Sequence, residues 1–261
     1  MESFSAIEII YGNIITFSLV FTRIASLFGT ISIFRKEMAS MRLILSLTMI
    51  LSVYAMLLAK LPVIHAESLT AKYFILQVTQ VMIGFTTGVL LNILFEIFSV
   101  AGQIISMQIG LTTASIFDPK FGMITSLTHF YLIVGMVIFF SMDGHFVVID
   151  VIVKSFKSIP VDTFITNFHG DMVMLFASII FLGGVMISIT IIASIMMTNI
   201  CLAILSKFAP QFNLFSVGLN MSLIMGLICL YLTFNVTTNI GTEYVIQVLH
   251  NFKSFFRLLA V

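Results

Sequence analysis

The sequence predicts an all-α fold of about six long apolar helices, integral to a membrane or held against it as helical hairpins. Three observations lead there. Hydrophobic residues make up 60% of the chain and charged residues 9%, with a mean hydropathy of +1.18, whereas a soluble chain carries about 25% charged residues. The stretch from Met172 to Leu205 contains no charged side chain, nor does the stretch from Phe208 to Thr242, and Lys207 is the one charge between them. The apolar runs also consume nearly all of the 261 residues, so no segment large enough for a soluble domain is left.

The first run, Ile7–Phe34, is interrupted by Arg23 and followed by the basic residues Arg35, Lys36 and Arg42. It has no positive segment before it and no small-residue cleavage site after it, so the helix itself is expected to direct insertion. The second run, Leu43–Ala59, stops at Lys60 and Pro62. The third, Tyr73–Val100, carries Gln77, Gln80 and Glu96. Ala101–Gly122 is more polar: it starts as a helix and loses helical character after Gly110, where Thr112, Thr113 and Ser115 are poor helix formers and Asp118-Pro119 is a turn. Non-helical backbone beside membrane segments is tolerated only inside protein or along a cavity, and Leu111, Ile116 and Phe117 favour burial of this loop.

The fourth run, Phe121–Met142, carries His129 and ends at Asp143-Gly144-His145, where Gly144 reads as the turn residue. In His145–Ile159, the residues Asp150, Lys154 and Lys157 share one face opposite Val, Ile and Phe, the pattern of an amphipathic helix lying on lipid or on a neighbouring subunit. The two charge-free runs follow. A straight helix over 172–205 would be about 50 Å long, against a hydrocarbon core of about 30 Å. It must tilt, break near Gly183-Gly184, or project beyond the bilayer against other protein. The segment after Gly241 is a tail with Lys253 and Arg257.

Orientation signals conflict. The positive-inside rule places the Arg35–Arg42 loop in the cytoplasm; six alternating spans would then leave both termini outside, while Lys253 and Arg257 pull the tail inward. Some segments are therefore not true crossings. Small residues recur at four-residue spacing in Gly84/Gly88, Gly102/Ser106/Gly110 and Gly218/Ser222/Gly226, which lets helices approach closely where lipid supplies no hydrophobic drive. Packing within the chain and packing against other subunits both remain open.

The charge distribution excludes nucleic acid as a partner: the net charge is +1 and no basic run exceeds two residues. Cys201 and Cys229 lie in apolar runs and read as packing residues. No nucleophile–base set, phosphate-cradling loop or metal spacing is present, so neither an enzyme nor a cofactor is expected. Arg23 and Glu96 are the candidate buried charges. An arginine at a helix centre costs about 2.5–3.5 kcal/mol on insertion scales, and a structural ion pair with Glu96 or Glu8 is the expected remedy.

The order A-G-Q-x-I-x-x-Q-x-G-L (101–111), D-P (118–119), D-G-H (143–145), S-F-x-x-x-P (155–160) and A-P-Q-F-N-x-F-x-x-G (209–218) resembles the FliR/SctT family of type III export-gate proteins. The resemblance runs from the first helix to the end of the sixth. It departs in lacking a proline within Lys36–Met41 and within Met186–Ile191, so helix bends do not transfer. It implies a non-enzymatic subunit, in one copy within a helical multi-subunit gate with FliP and FliQ. That gate admits unfolded exported proteins at the flagellar basal body in the bacterial inner membrane, alongside other export-apparatus membrane proteins. The injectisome is the alternative setting. Residues of about 1–170 would mimic FliP, about 171–240 would mimic FliQ, and 241–261 would form a tail, all in one domain. Energy would come from a separate ATPase and the proton gradient. The resemblance assigns the pore plug to Gly110, Leu111, Thr112, Thr113, Ala114, Ser115, Ile116 and Phe117, ended by Asp118 and Pro119. The 17 methionines could give adaptable contacts to varied substrates, though most are expected to fill the core. An independent transporter would call for an internal repeat with paired broken helices, and no convincing repeat links the halves.

Overall fold

The computed structural model describes residues 2–31, 40–59, 71–111, 126–162, 170–208 and 214–258, with side chains described over a somewhat narrower range near several helix ends. Within these residues lie seven helices and no strand: α1 Glu2–Thr30, α2 Met41–Ala59, α3 Ala71–Ile109, α4 Ser126–Ser141, α5 Gly144–Ser158, α6 Gly170–Phe208 and α7 Leu214–Leu258. Five of them are long and apolar enough to cross a membrane, or six spans if the broken pair α4–α5 counts as one. The all-helical membrane fold expected from the runs is the one observed.

The helix of the third run continues through the expected helical start of Ala101–Gly122 to Ile109, with Ala101 and Gly102 buried against neighbouring helices. α6 is unbroken through Gly183-Gly184. Both glycines serve close packing instead: a methyl at Gly183 would fall 2.8 Å from Ile97 and one at Gly184 2.5 Å from Val100. The chain after Gly241 is not a separate tail, since α7 runs on to Leu258.

The chain divides into two compact units. The first comprises Met1–Asn92, Asp143–Asp171 and Leu249–Val261. Here α1 and α3 run parallel: Gly84 abuts Ser26 and the Arg23 carbonyl, and further along Gly88 abuts the Leu27 carbonyl and Thr30. The Ser26 hydroxyl donates across this seam to the Val81 carbonyl at 3.2 Å. Lower down, Gln77 Nε2 donates to Tyr73 Oη at 2.8 Å and to Ser18 Oγ at 3.3 Å. Leu19, Val20, Ile24, Leu27, Leu76 and Ile83 fill the core. α2 packs on α1 and α5 through a narrow strip of Thr48, Ser52 and Ala55, leaving Met49, Ile50, Val53 and Leu57 outward.

The second unit comprises Ile93–Met142 and Met172–Val248. The second half of α3 is its centre. The Phe98 ring lies against Gly135 of α4 and Gly241 of α7, the Phe95 ring meets Phe139 edge-on at 5.4 Å, Gly102 backs onto Leu127 and Thr128, and Gly226 backs onto Ile109. At these positions glycine is required by the approach of another helix, which is how apolar helices gain contact when lipid is the competitor. Of the two uses open for the small-residue stripes, these contacts realise packing within the chain.

Candidate functional site

Two places concentrate the residues singled out by sequence. The first is the end of α3. Gly110 takes a left-handed conformation (φ 87°) and its amide donates to the Met107 carbonyl at 3.1 Å. That is the geometry in which glycine ends a helix without the Cβ penalty. α3 therefore ends at Ile109, and half-buried Leu111, the one described residue after Gly110, is itself helical. Thr112, Thr113, Ala114, Ser115, Ile116 and Phe117, with the Asp118-Pro119 turn, lie outside the described residues.

The second place is Arg23, which is 3% exposed in the first unit. Among the described residues, no carboxylate receives it. Nε donates to Gln80 Oε1 at 2.7 Å, Nη2 to the Ile159 carbonyl at 3.0 Å and Nη1 to Ser155 Oγ at 3.4 Å. The guanidinium carbon sits 4.3 Å from the centre of the Phe156 ring. Gln80, fully buried, donates in turn through Nε2 to the Val161 carbonyl at 3.2 Å. Among the described residues, all partners of the guanidinium are therefore uncharged; Glu8 lies outside the described side chains, and Glu96 is half-buried on α3 in the second unit.

The physical substitute for a carboxylate is the C-terminal end of α5. A helix ends with unpaired carbonyls and a partial negative charge near −0.5, and the aromatic face of Phe156 adds attraction for a cation. Pro160 stops the helix and Ile159 caps it in an extended conformation, so carbonyls 159 and 161 are left to Arg23 and Gln80. The pattern S-F-x-x-x-P thereby gains a cause: Ser155, Phe156 and Ile159 each meet the guanidinium. Sequence reasoning missed Gln80, Ser155, Phe156 and Ile159 as one site. The available signal was a proline closing an amphipathic helix in a chain with an unexplained mid-helix arginine.

α5 has the amphipathicity expected, with Val151, Ile152, Ser155 and Phe156 buried and an exposed Asp150–Lys154 pair at 2.7 Å. Its apolar face is covered by its own chain, at α2 and Arg23, rather than by lipid. At its start Asp143, not Gly144, takes the left-handed turn (φ 55°), with no side-chain capping bond, and Gly144 is buried. Cys201, expected to pack, is exposed, and Cys229 is half-exposed.

The lengths of α6 and α7 complete the picture. At 39 and 45 residues they measure about 58 and 68 Å, roughly twice the hydrocarbon thickness. Beyond Ile195 every residue of α6 up to Phe208 is exposed or half-exposed, and the apolar residues Met221, Ile224, Met225, Ile228, Tyr231 and Leu232 of α7 are outward or nearly so.

Compared with known proteins, residues 14–248 match the family model "Bacterial export proteins, family 1". The chain is 30% identical over 213 residues to the flagellar biosynthetic protein FliR of Buchnera aphidicola subsp. Schizaphis graminum, covering 80% of this chain and 81% of that one. It is 26% identical over 233 residues to FliR of Bacillus subtilis, covering 86% and 89%. It is also 25% identical over 233 residues to the surface presentation of antigens protein SpaR of Shigella sonnei, covering 89% and 90%.

Proposed function

The chain belongs to the bacterial export proteins, family 1, as a multi-pass inner-membrane component of a flagellar-type export apparatus, and from that premise we propose that it is a wall-and-plug subunit of the export gate. In this reading it assembles with FliP-like and FliQ-like subunits around a pore for unfolded proteins and catalyses no reaction. Residues of about 1–170 take the FliP-like place and residues of about 171–240 the FliQ-like place. The loop from Gly110 to Phe117, closed by Asp118-Pro119, obstructs the resting pore.

One observation carries the reading: α6 and α7 are apolar, outward-facing and about twice as long as the hydrocarbon core is thick. An apolar helix surface above the hydrocarbon zone is stable only when other protein covers it. A self-sufficient transporter has no use for that surface. The left-handed Gly110 supports the plug assignment, because it ends α3 immediately before the assigned loop. The similarity to SpaR supports an injectisome as the second setting for the same role.

The test is purification from native membranes followed by deletion of residues 111–117. Co-purification of two further small membrane subunits, and a complex that assembles after the deletion but leaks small ions, are the expected results. A stable lone polypeptide that moves a small solute in liposomes would overturn the assembly, and unchanged ion permeability would overturn the plug.

A further inference from the structure

α3 has one face that is exposed or half-exposed along its length, and that face changes character partway. Up to residue 89 it is apolar: Val78, Phe85 and Val89 are exposed. From residue 96 onward the same face carries half-buried Glu96, exposed Gln103 and exposed Met107, with Ser99 at its margin accepting from Gln103 Nε2 at 3.3 Å. At 100° per residue, positions 78, 85, 89, 96, 103 and 107 fall within a strip about 40° wide. The rest of this half of α3 is taken up: Ile97, Val100 and Ala101 by the α6 glycines, Phe98 by Gly135 and Gly241, Gly102 by α4, and Ile109 by Gly226 and Ser222. The strip is open because the neighbours leave it open.

A carboxylate and a primary amide at this spacing do not belong in hydrocarbon, where ionisable groups are costly and turn toward water or a polar partner. Glu96 makes no hydrogen bond or ion pair with a described residue. The strip runs about 16 Å from Glu96 to Met107 and ends at Gly110, where the helix stops. We infer that the strip Glu96–Gln103–Met107 faces water and forms wall of the aqueous path that ends at Gly110, with Glu96 giving that wall a negative charge that favours cations and basic segments of the passing chain. The inference rests on the conduit reading of the preceding subsection and adds which face of which helix is wetted and with what charge.

The experiment uses the assembled complex in native membranes, with Cys201 and Cys229 replaced by serine. Single cysteines are placed at Phe85, Val89, Gln103 and Met107, and a charged, membrane-impermeant methanethiosulfonate is applied. Gln103→Cys and Met107→Cys are expected to react at least tenfold faster than Phe85→Cys and Val89→Cys. Equal rates along the helix, or protection at 103 and 107 as when a partner helix covers the strip, would overturn the wetted wall. With residues 111–117 deleted, Glu96→Lys is expected to shift the leak from cation to anion preference, whereas Glu96→Gln should only weaken it; a preference that does not move would overturn the charge assignment. If the deletion opens no leak, the plug reading fails whatever the labelling pattern; if a leak opens and positions 103 and 107 stay unlabelled, only the present inference falls.

Discussion

Replacing Arg23 by methionine is the sharpest perturbation of this fold. Methionine keeps an unbranched apolar stem of similar length and removes the guanidinium. The change strands two buried acceptors, Gln80 Oε1 and the Ile159 carbonyl, that now receive charged donors at 2.7 and 3.0 Å. Ser155 is not stranded, since its hydroxyl also donates to the Ile152 carbonyl at 2.7 Å. Each orphaned buried acceptor costs about 1–3 kcal/mol, so the gross loss is about 2–6 kcal/mol. Against this, removing a desolvated charge recovers part of a penalty of several kcal/mol. The net expectation is a loss of about 1–4 kcal/mol.

Gln80→Leu alone should cost at least as much, because it leaves a charged donor and the Val161 carbonyl unmatched. The double variant removes both ends of the 2.7 Å bond, and its cost should fall short of the sum by about 1–3 kcal/mol. The assay is a double-mutant cycle on the purified complex, read by denaturant titration in detergent micelles and by the temperature at which the chain leaves the complex. Additive costs, or an Arg23→Met variant within about 0.5 kcal/mol of the parent, would refute the account of this node.

Four further outcomes are expected. Gly84→Ala and Gly88→Ala should each cost about 1–3 kcal/mol by forcing α1 and α3 apart, measured in the same titration; Gly29→Ala, where nothing lies within 4 Å, serves as the control. Ile200→Asp, on the outward face of α6, should abolish co-purification of partner subunits while carbonate extraction still finds the chain in the membrane. Asp143→Gly should be neutral or stabilising by up to about 1 kcal/mol, and Asp143→Val destabilising, because the left-handed turn at φ 55° penalises a branched side chain; thermal dissociation of the complex reads both. Asp143→Ala and His145→Ala should lower assembly as judged by native gels, with export falling only in proportion to assembled complex.

Much of this architecture was legible because its signals are local. Apolar run length gives the helices, the switch to Thr and Ser after Gly110 gives the end of α3, and the three-and-four spacing of Asp150, Lys154 and Lys157 gives the amphipathic α5. What escaped depends on groups that have no sequence signature. Every residue carries a carbonyl, so nothing in the letters marks Ile159 and Val161 as the ones that receive Arg23 and Gln80. A carboxylate was the natural guess, and the dipole end of a helix took its place. A break at Gly183-Gly184 is one of three options for the overlong run, since glycine weakens isolated helices; the close approach of Ile97 and Val100 gives these glycines a packing role instead. Gly144 was the better turn candidate than Asp143 by propensity alone, yet its burial leaves the turn to its neighbour. Of the proposed plug only Gly110 and Leu111 belong to the described residues, and residues 112–119 are assigned through family resemblance alone.

The Arg23 node also sets a schedule for biogenesis. The carbonyl that receives the guanidinium lies 136 residues downstream, so at about 5–20 residues per second the ribosome delivers it roughly 7–27 s after the arginine. Throughout that interval the guanidinium in the nascent first helix lacks the acceptor at the end of α5. A copy whose synthesis halts before residue 159 never gains that acceptor and keeps a buried cation without it.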